Sequence, residues 1–312
     1  MKKSPAWHQH VGHQRDWVWR GWRTRYTYVR SATDEQPPLM LLHGFGASIG
    51  HWRQNLPTLG QHHTVYALDL LGFGASEKVT APYGVEFWVE QVYEFWQTFI
   101  QQPVILVGNS IGSLVCLAAA AQYPDMVCGV VMLNLPDSSV LESPPWLANT
   151  LSLVKPVTQP LLTTVKWVFT LPPIFNTLFW VIRQPRVLKL WATQAYATPA
   201  AITDELIEIF MSPAYERGAA RTLRSMVKGK TQPKENPIDY TAKTVLPQLT
   251  VPMLLFWGLQ DKMVPPSLAR LFPKYNSNLK LIEIENAGHC PHDEQPEFVN
   301  QEILNWIRTC DH

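Results

Sequence analysis

The chain has 312 residues, of which 46% are hydrophobic and 16% are charged. This length fits one large α/β domain, or a core domain that carries an insertion. Because 26 basic residues are balanced by 25 acidic ones, the net charge is only +1. No overall positive field points to nucleic acid, so composition favours a globular protein with a generous core and argues against a nucleic-acid partner.

The cysteines and the first residues of the chain bear on its location. The four cysteines form neither a CxxC pair nor a metal-ligand spacing, so we interpret them as reduced thiols. The N-terminal stretch has no apolar h-region, which argues against a secretory signal and favours a cytoplasmic location. His8, His10 and His13 lie close together there, and we expect a solvated N-terminal segment in preference to a metal site.

Short apolar runs along the chain predict strands, and helical patterns separate several of them. The strand-like runs are 24–30, 37–44, 64–70, 103–109, 128–134, 251–258 and 279–285. The helical patterns cover residues 85–101, 113–124 and 296–310. Continuous apolar runs are typical of strands buried on both faces of a parallel sheet. Their alternation with helices predicts an α/β fold with a doubly wound, mostly parallel sheet.

One long stretch interrupts this alternation. Residues 136–248 contain no buried-strand run, are helical in pattern, and are rich in proline, leucine and tryptophan. A structureless loop of such length is implausible inside a compact domain. We therefore predict a helical cap over 136–248, inserted between two core segments, 1–135 and 249–312.

A serine between two glycines follows the strand-like run 103–109. Residues Gly108 to Gly112 read G-x-S-x-G, the spacing of a nucleophile elbow, in which a sharp strand-to-helix turn exposes the serine. Serine is also a good helix N-cap, so the motif alone leaves both roles open for Ser110. The predicted strand before it and the predicted helix after it supply the context that an elbow requires.

The stretch HGFG at 43–46 follows an earlier strand and faces the same edge of the predicted sheet. Its turn can direct the backbone N–H of Phe45 toward Ser110, and Ile111 supplies a second N–H. Two such donors form an oxyanion hole. We expect the ring of His43 to hold this loop, and we interpret Asp69 in the loop after the next strand as structural.

Two further residues follow strands near the end of the chain. Asp261 comes directly after the strand-like run 251–258, and His289 opens the loop after 279–285. Serine, acid and histidine therefore occur in the chain order of an α/β-hydrolase triad. Each follows the carboxyl end of a strand, where ligands bind in open α/β sheets. Asp137, after the sixth strand, is the alternative acid.

Two polar residues follow His289 closely. His292 and Asp293 are expected to cap the next segment and to face solvent rather than to take part in catalysis.

Together these motifs resemble the α/β-hydrolase superfamily over nearly the whole chain. The resemblance rests on HGFG, DLLGFGAS, GNSIGS, WGLQD and AGHCPHDEQP. It implies an eight-stranded, mostly parallel sheet with a helical cap after the sixth strand. Within the superfamily the chain looks most like the pheophytinase and chlorophyll-dephytylase group, which implies hydrolysis of the phytyl ester of a chlorin. Ser113 departs from the pattern, since relatives commonly have glycine there.

The implied chemistry is ester hydrolysis through an acyl-enzyme. Ser110 attacks the carbonyl, His289 transfers the proton, and Asp261 orients the imidazole. Serine at this position excludes the dehalogenase and epoxide-hydrolase chemistries that use an aspartate nucleophile. No cofactor and no metal are implied. The alternatives are a C–C bond hydrolase of a vinylogous diketone, a cofactor-free perhydrolase or haloperoxidase, and a non-hydrolytic receptor or lyase on the same scaffold.

The predicted cap indicates what the site accepts. Residues 141–200 carry five basic residues against one acidic residue, together with Trp146, Trp167, Trp180 and Trp191. These aromatic side chains favour a bulky lipophilic ester as substrate, and we expect substrate contacts from Phe45, Asn109, Trp167 and Trp180. A membrane span over 161–182 is disfavoured by Lys166, Asn176 and two prolines. Two interpretations of these aromatic residues remain. They fill the interior of the cap, or they also form a basic, tryptophan-rich face that rests on a membrane surface.

Overall fold

A computed structural model describes residues 6–32, 36–141, 169–229 and 239–310. The described residues form one eight-stranded sheet in the order β1-β2-β4-β3-β5-β6-β7-β8, which confirms the predicted fold class. The strands are β1 (Arg15–Trp19), β2 (Trp22–Val29), β3 (Leu39–Leu42), β4 (Val65–Leu68), β5 (Val104–Asn109), β6 (Val127–Leu133), β7 (Met253–Gly258) and β8 (Leu279–Ile284).

Strand direction places the carboxyl ends of most strands at one edge. β1 and β2 pair antiparallel, as do β2 and β4, whereas every pairing among β3 to β8 is parallel. β3, β5 and β7 are buried along their whole length, which explains their continuous apolar sequences. The loops that follow β3, β5, β6, β7 and β8 therefore converge at the same edge.

Helices cover both faces of this sheet. The described helices are α1 (Leu56–Leu59), α2 (Val85–Phe99), α3 (Ile111–Gln122), α4 (Pro172–Ile182), α5 (Pro185–Ala195), α6 (Asp204–Ala214), α7 (Ala219–Lys228), α8 (Ala242–Val245), α9 (Pro291–Glu294) and α10 (Pro296–Thr309). One apolar cluster contains the inner residues of α2 and α3, and a second contains those of α1 and α10. This two-sided packing is the doubly wound arrangement that the alternating pattern predicts.

The beginning of the chain differs from the expectation. β1 was not predicted; it forms a hairpin with β2 through Arg20 and Gly21, which both have positive φ. Trp7 and Val11 are buried in an apolar core cluster, so the expected solvated N-terminal segment is wrong for these two residues. His10 and His13 are exposed, in agreement with the expected solvated segment.

The chain between β6 and β7 is helical where it is described. Helices α4 to α7 lie there, in agreement with a helical insertion after the sixth strand. The exact cap boundaries, 136 and 248, stay a prediction, and residues 142–168 and 230–238 lie outside the described residues. Among the described helices, none is both long enough and apolar enough to cross a bilayer.

The contact between α3 and the sheet requires glycine at two positions. A Cβ on Gly112 would lie 2.2 Å from the carbonyl oxygen of Leu42 in β3. A Cβ on Gly108 would lie 2.3 Å from the carbonyl carbon of Gly112. Both distances are far below van der Waals contact with backbone atoms, so the two glycines let the helix approach β3 and β5 closely.

We expect Gly112→Ala to lower the free energy of unfolding by about 1–3 kcal/mol or more, because the added methyl group displaces backbone atoms of a closely packed core. Chemical denaturation measures this change. Ala121→Ser adds one atom at an exposed position of the same helix and should leave the midpoint unchanged. An unaltered midpoint for Gly112→Ala would show that the helix has room at this contact.

Candidate active site

Ser110 occupies the turn between β5 and α3. Its backbone has φ 53° and ψ −116°, a left-handed conformation that is costly for a residue with a side chain. Its hydroxyl makes no capping hydrogen bond to the first turn of α3. The structure therefore favours the elbow over the N-cap role, because the turn is strained and the hydroxyl is not used by the helix.

Asp261 and His289 meet across the loops that follow β7 and β8. Nδ1 of His289 lies 2.7 Å from Oδ2 of Asp261, and both side chains are buried. The backbone N–H groups of Met263 and Val264 donate to Oδ1 of Asp261 at 2.8 and 2.9 Å. This arrangement orients the imidazole and leaves its Nε2 for a second partner.

Asn134 completes the hydrogen bonding of this carboxylate. It directly follows β6, has a positive φ of 50°, and is fully buried. Its Nδ2 donates to Oδ2 of Asp261 at 2.6 Å and lies 3.2 Å from the carbonyl oxygen of Gly288. Sequence reasoning missed this residue; the available signal is an asparagine, which tolerates left-handed backbone, directly after a buried strand.

Asp137, the alternative acid, is engaged elsewhere. Its Oδ1 accepts from Ser139 N, and its Oδ2 accepts from Ala242 N at the start of α8, both at 2.7 Å. The structure thus brings Asp261 to His289 and uses Asp137 to hold the chain that leads back toward β7.

Asn109 links the serine turn to the histidine loop. The residue is 1% exposed, and its Nδ2 donates to the carbonyl oxygen of His289 at 3.0 Å. This bond sets the residue before Ser110 directly against the backbone of His289. The amide nitrogen of Asn109 thus holds the histidine loop, and a substrate contact of this residue stays a prediction.

Ser113 fixes the elbow from the helix side. Its hydroxyl donates to the carbonyl oxygen of Gly108 at 2.7 Å and accepts from Leu133 N at 3.1 Å. A hydroxyl at this position thus ties α3 to β5 and β6.

The HGFG loop packs on the serine turn. A Cβ on Gly44 would lie 3.4 Å from Cβ of Ser110, so the loop backbone passes beside the nucleophile position. Phe45 follows, with its side chain 45% exposed and its ring 5.3 Å from that of Phe73. The N–H groups of Phe45 and Ile111 remain the predicted oxyanion donors, and Ile111 N is at the start of α3, where amides lack intrahelical partners.

Buried polar groups hold this loop. His43 Nδ1 lies 2.7 Å from Gly44 O, while its Nε2 accepts from Leu70 N at 3.1 Å. Burial lowers the pKa of His43 to about 4, so the ring is neutral near pH 7 and has a structural role. Asp69 accepts from Ile49 N and Ala75 N, and burial raises its pKa to about 6.

The cap returns to the core against the histidine loop. His289 N donates to Ala195 O at 2.6 Å, at the end of α5. The carboxylate of Glu294 then joins both sides, because Oε1 accepts from Gly288 N and Oε2 accepts from Ala197 N, each at 2.6 Å. We call these three hydrogen bonds the return clamp. Burial raises the pKa of Glu294 to about 7.

His292 and Asp293 are buried, so the expectation that they face solvent is wrong. The Tyr196 hydroxyl donates to Oδ2 of Asp293 at 2.7 Å, and Nη1 of Arg53 lies 2.8 Å from Oδ1. The ring centroid of His292 is 4.4 Å from that of His51. A buried arginine partner, distant in the sequence, explains how the carboxylate of Asp293 is accommodated in the interior, while His292 packs against the rings of His51 and Trp52.

Only one of the two tryptophans predicted to contact substrate is among the described residues. Trp167 lies outside the described residues. Trp180 is 57% exposed on α4 and lines a surface groove with residues of α4, α7 and the end of α6. None of Ser110, Asp261 and His289 lines that groove, and a substrate contact of Trp180 stays a prediction. Among the described residues, no group of three or more His, Cys, Asp or Glu is arranged to hold a metal ion.

Glu294→Gln should change the pH dependence of stability. The folded-state pKa near 7 lies above the ordinary 4.5, so the wild-type native state binds a proton that the unfolded chain has lost. Wild-type stability relative to Glu294→Gln should therefore fall as pH rises from about 4.5 to about 7, and should level off above that range.

Denaturation of both proteins at about pH 5 and about pH 8 measures this difference. Glu297→Gln removes the same charge from an exposed site in α10 and should show no such change. If the free energies of unfolding of wild type and Glu294→Gln differed by the same amount at both pH values, the Glu294 carboxylate would not cause the pH dependence of stability.

Comparisons with known proteins agree with this architecture. The chloroplastic pheophytinase of Arabidopsis thaliana is 26% identical over 92% of this chain, which spans 64% of that protein's length. Human epoxide hydrolase 4 is 24% identical, and the match covers 91% of this chain and 76% of the length of that protein.

Solved structures are similar in fold at lower identity. A bacterial membrane phospholipase A superposes with a TM-score of 0.72 at 21% identity, covering 97% of this chain and 88% of its own. A meta-cleavage product hydrolase superposes with a TM-score of 0.71 at 18% identity, and the match covers 96% of this chain and 99% of that hydrolase. The family model described as alpha/beta hydrolase fold matches residues 37–296, which is most of the chain. The chain therefore belongs to the α/β-hydrolase family.

Proposed function

We propose that this protein is a serine hydrolase that cleaves a carboxylic ester of a bulky lipophilic substrate through an acyl-enzyme. The observation that carries the proposal is the 2.7 Å hydrogen bond between His289 Nδ1 and Asp261 Oδ2. His289 lies in a loop whose backbone accepts a hydrogen bond from Asn109, and Asn109 directly precedes the strained turn of Ser110. These contacts support Ser110 as nucleophile, His289 as base and Asp261 as orienting acid at one edge of the sheet.

Each residue has a defined part in the proposed reaction. The Ser110 oxygen attacks the ester carbonyl while Nε2 of His289 accepts the hydroxyl proton. Asp261 stabilises the resulting imidazolium, and the backbone N–H groups of Phe45 and Ile111 stabilise the oxyanion. His289 then protonates the leaving alcohol, and water, activated by the same imidazole, hydrolyses the acyl-enzyme.

The residue at the turn distinguishes between the reactions of the named relatives. Epoxide opening in this fold relies on an aspartate nucleophile, whereas this chain has Ser110. A serine at the elbow supports acyl transfer, which is the chemistry of an esterase. The similarity to human epoxide hydrolase 4 therefore supports the fold of this chain, but it does not support epoxide opening as its reaction.

We propose the phytyl ester of pheophytin or chlorophyll as the substrate, with phytol as the leaving alcohol. The Arabidopsis pheophytinase is named for a pheophytin substrate, and its relation to this chain supports that choice. The exposed aromatic ring of Phe45, in the loop that packs on the turn of Ser110, supports a lipophilic ligand. The same triad serves a C–C bond hydrolase of a vinylogous diketone, and the similarity in fold to a meta-cleavage product hydrolase keeps that reaction as the second candidate.

Replacing the nucleophile should abolish the reaction. We expect Ser110→Ala to lower kcat by about 10⁴-fold or more, because no other group replaces the serine oxygen. The assay follows phytol release from pheophytin a and chlorophyll a, hydrolysis of p-nitrophenyl esters, and cleavage of a vinylogous diketone. A fluorophosphonate should label wild type and the exposed-site control Ser267→Ala, but not Ser110→Ala.

The outcomes separate the candidate reactions. Phytol release supports the chlorin ester, and ester hydrolysis without phytol release retains the esterase and removes that substrate. Turnover of the diketone alone identifies the C–C bond hydrolase. Full activity of Ser110→Ala contradicts the mechanism.

Asn134 should contribute to catalysis through Asp261. Asn134→Ala removes the 2.6 Å hydrogen bond to Oδ2. A hydrogen bond to a charged group contributes about 1.5–3 kcal/mol, so we expect kcat to fall by about 10-fold or more. KM should change little, because Asn134 is fully buried behind Asp261. Asn305→Ala, at an exposed site, serves as control, and an unchanged kcat for Asn134→Ala would show that this bond does not support the triad.

A further inference from the structure

Helix α4 exposes the apolar residues that a helix usually buries. Of its 11 residues, only Phe175 and Phe179 are buried, where they pack against Ala219 of α7. Four large apolar side chains are between 38% and 42% exposed: Ile174, Leu178, Val181 and Ile182. Their spacing of four, three and one places them on a single face of the helix. A contiguous exposed apolar face of this kind marks an interaction surface.

A basic groove lies along another side of the same helix. It has a volume of about 440 Å³ and is lined by Trp180, by three arginines (Arg183, Arg217 and Arg221) and by the turn between α6 and α7. Glu216 is the one carboxylate among the residues that line it, and its Oε2 accepts from Lys78 at 3.1 Å. The positive charge of the groove is therefore largely uncompensated by its own lining.

The surrounding sequence reinforces this charge. Residues 172–228 contain seven lysines and arginines against four acidic residues, none of which lies in α4, α5 or α7. One of the seven, Lys189, is paired with Asp204 at 2.8 Å. We name the apolar face of α4 together with the arginine-lined groove the cap surface.

We propose that the cap surface docks onto a bilayer that contains anionic phospholipids. Arginine forks bind phosphate oxygens in a bidentate manner, and tryptophan is favoured at the level of the headgroups. The exposed aliphatic side chains of α4 insert at the boundary between headgroups and acyl chains, as interfacial helices do. One helix thus supplies both the apolar and the electrostatic part of membrane binding.

A second copy of this chain is a less suitable occupant. In a two-fold symmetric dimer the same patch contacts itself, so the arginine-rich groove of one copy would approach that of the other. Like charges brought together across an interface oppose association. An anionic lipid surface has the opposite sign, and its charge complements the groove.

Docking does not depend on the reaction proposed for Ser110, and it places the enzyme at the phase in which lipophilic esters dissolve. The test uses the full chain and sedimentation with vesicles of phosphatidylcholine alone or with added phosphatidylglycerol. About 1 kcal/mol for each basic residue near an anionic membrane corresponds to a preference of about 100-fold for the anionic vesicles when three arginines engage. Raising the salt concentration should reduce this preference.

Two sets of variants separate the parts of the cap surface. Arg217→Glu with Arg221→Glu should reduce the preference for anionic vesicles by at least about 10-fold. Leu178→Gln with Val181→Gln should weaken binding to both kinds of vesicle, because the inserted apolar area is lost. Lys274→Glu with Arg308→Glu reverses two exposed charges of the core and should leave binding unchanged. All variants should hydrolyse a short soluble p-nitrophenyl ester as wild type does, and circular dichroism checks their fold independently of activity.

Several results would overturn the proposal. Equal binding to neutral and anionic vesicles, or no binding to either, removes the electrostatic docking. Unchanged binding of the arginine variants places the contact elsewhere. Displacement by millimolar inorganic phosphate identifies a free-phosphate site instead of a bilayer contact. A concentration-dependent dimer that the same variants abolish assigns the surface to a second copy of the chain.

Discussion

The hydrogen bond between His289 and Asp261 depends on where parallel strands end, and most of the site is organised around it. Asp261 follows β7 and His289 follows β8, so neighbouring parallel strands deliver the two side chains to one edge. Asn134, directly after β6, donates to the same carboxylate. Three adjacent strands thus contribute one polar group each, and the sheet fixes their spacing. A buried carboxylate in this position is stable because each of its oxygens accepts hydrogen bonds.

The loop of His289 is also the junction between the site and the cap. Asn109 holds its carbonyl oxygen from the serine side, while Ala195 accepts from its N–H on the cap side. Glu294 joins the loop to Ala197 through a second pair of bonds. Asp261 therefore orients the imidazole ring, Asn109 and Ala195 hold the backbone of His289, and Glu294 holds that of Gly288, an arrangement that would preorganise the base of the proposed reaction.

The sheet and the proposed triad residues could be predicted because their signals are local. A buried parallel strand is a continuous apolar run, and Ser110, Asp261 and His289 each stand just beyond one. The partners of these residues carry no such signal, since Asn134 and Asp261 are 127 positions apart. The burial of Asp293 and His292 was not predicted for the same reason: Asp293 is bound by Arg53 and Tyr196, and His292 packs against His51 and Trp52, all of them distant in the sequence. The hairpin strand β1 was missed because most of its residues are at least partly exposed.

The return clamp limits how the cap sequence can change in this fold. Ala195 O accepts from His289 N, and Ala197 N donates to the side-chain carboxylate of Glu294, so the last turn of α5 and the residues after it are held against the histidine loop. The helical stretch from α4 to the first turns of α5 makes none of these three bonds. Because the cap contributes only backbone atoms to the clamp, an exchange of cap sequences between homologues is expected to keep the clamp when it keeps the path of the chain through residues 195–197 and an N–H at position 197.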